Sequence, residues 1–232
     1  MRPSITFPPL FLAVLLCAAP VRGAGSAADD LRAVRPLRVV YDARVFDATC
    51  ALIHTEPSGD GLALYFVTSA RLFKTAEGER FRPASVVQIT LEDGTGIAVR
   101  REDVFLPTGN LVDIAVLRAE VPNTAVVAGS ITFDPPAPAS AFVIAGYGSD
   151  GAPATITGQV RFASTRLVVG DRDASPIAGC VGAPALGDDG IFGVVSECDA
   201  NRAAVITPLS MAYAFIVRHV PGLVGQPTLR DQ

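Results

Sequence analysis

The stretch Gly179-Cys180-Val181-Gly182-Ala183-Pro184-Ala185-Leu186, with Ile191-Phe192-Gly193-Val194-Val195-Ser196 after Gly190, limits the fold more than any other segment of the 232-residue chain. Two closely spaced glycines permit a tight turn, and Pro184 suits the first residue of a strand. The run from Ile191 has strand length and β-branched and aromatic residues, and it doubles back on the strand before it. A strand–turn–strand unit of this kind belongs in an antiparallel β protein.

The same pattern recurs along the chain. With 21 Gly, 18 Pro and no Trp, the apolar runs are short and punctuated by turn residues. Residues Ala28 to Leu37 read as an irregular polar entry. Strands are expected at Val39–Tyr41, Val45–His54, Leu62–Thr68, Ser85–Leu91, Gly96–Val104 and Leu111–Leu117, with a hairpin around Glu92-Asp93-Gly94-Thr95-Gly96. After the Pro-marked connection Asp134-Pro135-Pro136-Ala137-Pro138, a second set is expected at Ala141–Gly146, Thr155–Ala163, Arg166–Val169, Gly182–Leu186, Ile191–Ser196 and Ala203–Ile206. Thr207-Pro208 then supplies an N-cap and a first helical residue. Leu209, Ala212, Phe215 and Ile216 follow at helical spacing up to His219, and Pro221-Gly222 ends the element. The inventory is all-β: two six-stranded antiparallel barrels, one over about 38–120 and one over about 124–206, and a C-terminal α-helix over 208–219.

The N-terminus reads as a leader for export. Arg2 precedes an apolar stretch from Phe7 to Ala19, then small residues from Gly23 to Ala27. That stretch is too short to span a bilayer, and Leu16 before Cys17 is too bulky for a lipoprotein cleavage box. Residues 1–27 are therefore expected to be removed, leaving 28–232 as a periplasmic or secreted domain without a membrane anchor. Their removal leaves 17 basic against 23 acidic residues, a net charge of −6 that argues against a nucleic-acid partner. Cys50, Cys180 and Cys198 remain after processing. Cys180 and Cys198 flank one strand–turn–strand unit and are the expected disulfide, with Cys50 a buried free thiol.

Three anchors carry a family resemblance. They are Phe66-Val67-Thr68-Ser69-Ala70-Arg71, then Val112-Asp113-Ile114-Ala115-Val116-Leu117, then Gly179–Leu186 with Gly193–Ser196. In order and spacing these resemble the trypsin/chymotrypsin-like serine protease family over most of the mature length. The corresponding family segments read Val-Leu-Thr-Ala-Ala-His, Asp-Ile-Ala-Leu-Leu and Gly-Asp-Ser-Gly-Gly-Pro-Leu. The resemblance puts the family's general base at Arg71, its orienting Asp at Asp113 and its nucleophile at Val181. Valine has no nucleophilic atom, and a guanidinium stays protonated and cannot take a proton. The triad needs both of those steps, so the resemblance implies a degenerate member that is not an enzyme.

Other residues are weaker candidates. Cys180 adjoins the nucleophile position, but a thiolate needs an activating base, and neither His54 nor His219 matches the base position. His219 at the helix end is expected to interact with the helix C-terminus. Ser69, Ser164, Ser175 and Ser196 are the remaining hydroxyls of interest. The resemblance places Ser175 at the floor of the specificity pocket and Ser196 on the strand that borders the substrate. Gly179 and Val181 are expected to keep an oxyanion nest of backbone N–H groups. Asp113 is the one charge in its apolar run and needs a partner; the resemblance implies Arg71, which stands where the family's His contacts that Asp, and an ion pair between the two is expected.

No cofactor or metal is expected. The leading expectation is a binding or interaction module that holds an extended peptide or protein partner by strand addition beside Ile191–Ser196. The alternatives are a weakly active or unorthodox serine or cysteine endopeptidase, and a structural envelope or secreted domain.

Overall fold

The structure is a computed structural model that describes residues 25–41, 44–73, 84–109, 111–122, 124–148, 151–173, 179–198 and 203–223. Most of the leader segment and Ser175 lie outside the described residues.

A short helix, α1 (Gly25–Arg32), precedes the first strand, where an irregular entry is expected from sequence. Asp30 fixes it: the side chain is buried, and its Oδ1 accepts the Ser130 N–H at 2.6 Å. The first sheet comprises β1 (Val34–Tyr41), β2 (Arg44–Ser58), β3 (Gly61–Thr68), β4 (Val86–Thr90), β5 (Gly96–Ala98), β6 (Val104–Phe105) and β7 (Ala115–Pro122). Its strands are antiparallel in the order β5-β4-β1-β2-β3-β7-β6. The expected strand Gly96–Val104 is broken by a 3-10 turn at Arg101–Asp103 and yields two short strands, β5 and β6. Arg100 Nε donates to Asp103 Oδ2 at 2.7 Å across that turn. The expected strand at Leu111 begins only at Ala115, which leaves Asp113 in the preceding loop.

The second half matches the expected six strands closely. They are β8 (Ala141–Tyr147), β9 (Pro153–Ala163), β10 (Val168–Arg172), β11 (Pro184–Gly187), β12 (Gly190–Cys198) and β13 (Ala203–Pro208). They close into a barrel in the order β10-β13-β12-β11-β8-β9. The C-terminal helix α2 is shorter than expected, Tyr213–His219, behind a 3-10 turn at Leu209–Ala212. Thr207 and Pro208 end β13 and do not cap the helix; the Thr207 hydroxyl is 2.7 Å from that of Ser196.

Packing explains why β3 reads as a continuous apolar run and not as an alternating one. Leu64 and Phe66 point into the first sheet's core with Leu37, Leu52, Ile89 and Leu117. Tyr65 and Val67 point the other way, into a cluster shared with Leu186, Ile191, Val194, Leu209 and Ile216. Both faces of β3 are covered, so both need apolar residues. Each large side chain buried this way contributes about 1.5–3 kcal/mol. A third cluster, with Phe142, Ile144, Phe192 and Ile206, fills the closed barrel. The two halves are thus joined by an apolar seam, with a more polar one at the end where β3 and β12 terminate.

Candidate functional site

Each anchor of the polar seam sits where a strand stops. β3 ends at Thr68, Ser69 follows, and Ala70–Phe73 form a 3-10 turn that carries Arg71. Asp113 lies two residues before β7, the neighbour of β3, so the carboxylate comes up against the β3 terminus. It is buried and well supplied with donors. The Arg71 backbone N–H donates to Oδ1 at 2.8 Å, and the Ser69 hydroxyl lies 2.9 and 3.0 Å from the two carboxylate oxygens. Arg71 Nε completes the set, 3.3 Å from Oδ2. The cost of burying the Asp113 charge is met mostly by these neutral hydrogen bonds, with Arg71 adding an ion pair. Ser69, read from sequence as one possible nucleophile, is committed to this carboxylate.

The Arg71 guanidinium reaches across to the second barrel. Its Nη1 donates to the Ser196 carbonyl at 3.3 Å and lies 3.5 Å from Glu197 Oε2. Its side chain is 52% exposed, so it lies across an open cleft and is not sealed in the core. Glu197 is a partner that no sequence motif indicates.

The turn Gly179–Gly182 forms the facing wall. Gly179 (φ 75°) and Gly182 (φ 88°) both take left-handed backbone. Thr49 Oγ1 donates to the Gly179 carbonyl at 3.2 Å and accepts the Tyr147 N–H at 3.3 Å, tying the turn to β2 and β8. The Gly182 N–H donates to Val195 O at 2.8 Å, and Val195 N–H returns to Ala183 O at 2.9 Å. Val181 stands half-buried at the tip. Among the described residues, neither the Gly179 nor the Val181 backbone N–H donates to a protein acceptor.

The open strand edge is smaller than sequence suggests. Gly193 and Val194 are paired on both sides, with β11 and β13, and Ile191 pairs with β11 and bridges Ile131. β11 begins at Pro184, opposite Val194, so among the described residues the end of β12 from Ser196 has β13 on one side and no strand on the other. The Ser196 hydroxyl turns inward to Thr207, while its carbonyl faces Arg71.

The cysteines depart from the expected pairing: Cys50, Cys180 and Cys198 are all unbridged. Cys180 and Cys198 are nonetheless hydrogen-bond neighbours, and that contact together with burial pushes the Cys180 thiol well up. Cys50 is fully buried, donates to Arg35 O at 3.6 Å, and is also pushed up by burial. Neither is a reactive thiolate at neutral pH. His219 stacks on Phe105 with ring centroids 4.5 Å apart. Burial, then the Arg218 charge, push its imidazole below the usual histidine value, so desolvation outweighs the stabilisation expected from the helix end.

This geometry, two β-barrel-like halves meeting at a polar cleft, is the fold of the trypsin-like serine proteases. Solved structures similar to the chain include the Rv3671c protease of M. tuberculosis in its active form, with 14% identity over 84% of each chain and a TM-score of 0.64. A serine endoprotease from Yersinia pestis has 14% identity over 84% of this chain and 66% of its own, with a TM-score of 0.61. The thermostable serine protease AL20 from an extremophilic microorganism has 11% identity over 80% of this chain and 98% of its own, with a TM-score of 0.63. No family model matches the chain. No curated protein matches it either.

The comparison corrects one expectation. A chain that is not an enzyme is expected from Arg71 and Val181, yet the similar structures are serine proteases, one of them solved in its active form, and that likeness overturns the expectation. Among the described residues, no helix is long and apolar enough to cross a membrane.

Proposed function

We propose that the protein is an exported member of the peptidase fold that takes an extended peptide into the cleft between its two halves. The observation that carries this reading is the strand edge at Ser196–Glu197, beside which no strand pairs among the described residues and whose Ser196 carbonyl faces Arg71 across the cleft. An extended chain adds to such an edge through main-chain hydrogen bonds. The N–H groups of Gly179 and Val181 offer donors for a peptide carbonyl at the end of that track. Arg71 occupies the Ser196 carbonyl, so an incoming peptide competes with it.

A second reading is favoured by the likeness to active serine proteases: a peptidase that cuts the bound peptide without the usual Ser–His pair. One experiment addresses both. A fluorescent peptide library is titrated against the full chain and an Arg71→Ala variant, and the bound peptides are analysed by mass spectrometry. Several-fold tighter binding is expected for Arg71→Ala, with loss of binding on N-methylation of the peptide backbone. Cleavage fragments that vanish in Cys180→Ala or Ser175→Ala establish the peptidase reading. No peptide retained by either protein and no fragments would remove the cleft as a peptide site. Export is tested separately, by sequencing the N-terminus of the protein recovered outside the cytoplasm; an intact Met1 there would refute leader removal.

A further inference from the structure

The Cys180–Cys198 pair lies within the second barrel and links two segments that border the cleft, the Gly179–Gly182 turn and the end of β12. Cys180 is 6% exposed and lies in the turn between Gly179 and Gly182. Its side chain belongs to the closed barrel's core cluster, and Cys198 packs against that same cluster. Cys198 is the last residue of β12 and is half-buried, so a small oxidant can reach one member of the pair. The backbones around both are already stitched together by the Gly182–Val195 and Val195–Ala183 hydrogen bonds. The turn need not refold for the sulfurs to meet.

We propose that Cys180 and Cys198 are a redox site, which closes to a disulfide in an oxidising compartment and locks the Gly179–Gly182 turn to the open edge of β12. The reaction is thiol–disulfide exchange with a disulfide oxidant such as oxidised glutathione. The Cys198 thiol loses its proton, and the thiolate attacks the oxidant and releases one thiolate, leaving a mixed disulfide. Cys180 then gives up its proton and attacks the Cys198 sulfur, releasing the second thiolate. The protein loses two protons and two electrons, which the oxidant disulfide takes up to become two thiols. Burial and the shared hydrogen bond disfavour the Cys180 thiolate, so closure is slow until the mixed disulfide forms beside it. Cys50, fully buried with its thiol on Arg35 O, is an internal control that stays reduced.

The crosslink does not depend on the peptide reading, and its test is kept apart from it. The full chain is equilibrated with oxidised glutathione, alkylated under denaturing conditions and digested with trypsin. Residues 173–202 contain both cysteines and no internal Lys or Arg. Their peptide is expected two hydrogens lighter and unlabelled, gaining two labels after reduction. Thermal unfolding of the oxidised protein is expected roughly 5–10 °C higher than that of the reduced one, an advantage absent in Cys198→Ser. Full labelling of both cysteines after oxidation, or a link to Cys50, would overturn the proposal. So would an equal melting rise in Cys198→Ser, a half-buried position where serine does not disturb the core.

Discussion

Gly182→Ala tests whether the turn is held as tightly as its contacts indicate. A Cβ at Gly182 would lie 2.3 Å from Thr68 Oγ1, 2.6 Å from Thr49 O and 3.3 Å from Leu72 Cδ1. Thr68 cannot simply rotate away, since its hydroxyl donates to the same Thr49 carbonyl at 2.7 Å. The left-handed backbone costs alanine about 1–2 kcal/mol. Overpacking against fixed backbone adds roughly 1–3 kcal/mol. The stiffer unfolded chain returns about 0.4–1 kcal/mol. The net loss is therefore about 1–4.6 kcal/mol, a melting shift of roughly 2–18 °C for a chain of this size. Gly94→Ala is the matched control: φ is 83°, but nothing lies within 4 Å of the added Cβ, so only the backbone cost applies. Thermal unfolding followed by circular dichroism at neutral pH reads both. If Gly182→Ala melts no lower than Gly94→Ala, the turn is not packed against Thr68 and Thr49, and the cleft wall drawn from it fails.

Two further predictions concern charge. Arg71→Ala is expected to cost little, because half of its side chain is in solvent and exposed pairs contribute roughly 0.2–1 kcal/mol. Asp113→Ala is expected to cost about 2–4 kcal/mol, because it leaves the Ser69 hydroxyl and the Arg71 N–H without their acceptor. A double-mutant cycle in urea should give a small positive coupling, and zero coupling would show that the ion pair is incidental. For His219 the folded value lies below the unfolded one, so the unfolded state takes up its proton first as pH falls. Stability is complete above about pH 6.5, the unfolded value, and declines below it until the folded imidazole also protonates. His219→Phe, which keeps the stack on Phe105, should remove that part of the pH dependence. An unchanged profile between pH 5 and 7 would contradict the burial of His219.

The second barrel was legible because its turns are chemical. Pro184, Gly190 and the apolar run after it allow little but a hairpin, and the strand bounds follow within a few residues. Elsewhere the decisive partners are remote. Helix α1 depends on Asp30 meeting Ser130, a hundred residues away, and its polar sequence gives no periodic signal for that. Arg71 and Asp113 could be paired from sequence because a buried charge needs a counterion and the family resemblance puts Arg71 at the position that contacts Asp113. Glu197 could not, since its contact with Arg71 requires the ends of two strands, β3 and β12, to be brought together by the barrels. The Cys180–Cys198 neighbourhood was legible as proximity, while the unbridged thiols were not. The length of the open edge also escaped sequence reading, because it depends on where β11 starts and not on how apolar β12 is.

The contacts of Asp113 separate scaffold from chemistry at this cleft. Two of its three donor groups, the Ser69 hydroxyl and the Arg71 backbone N–H, remain whatever side chain stands at 71. Asp113 is therefore fixed by the folding of the β3 terminus, and its presence says little about proton transfer. The Arg71 side chain is different. It spends its donors on Asp113, the Ser196 carbonyl and Glu197, groups drawn from both halves. Together with Thr49, which bridges β2 to Gly179 and Tyr147, it makes the seam between the halves polar at this end and apolar at the other. A polar seam can exchange its internal hydrogen bonds for those of an incoming main chain at little net cost, whereas an apolar seam would have to open against its own burial. On the proposed peptide reading, the cleft end at Arg71 and Ser196 is where the chain would enter without parting the barrels.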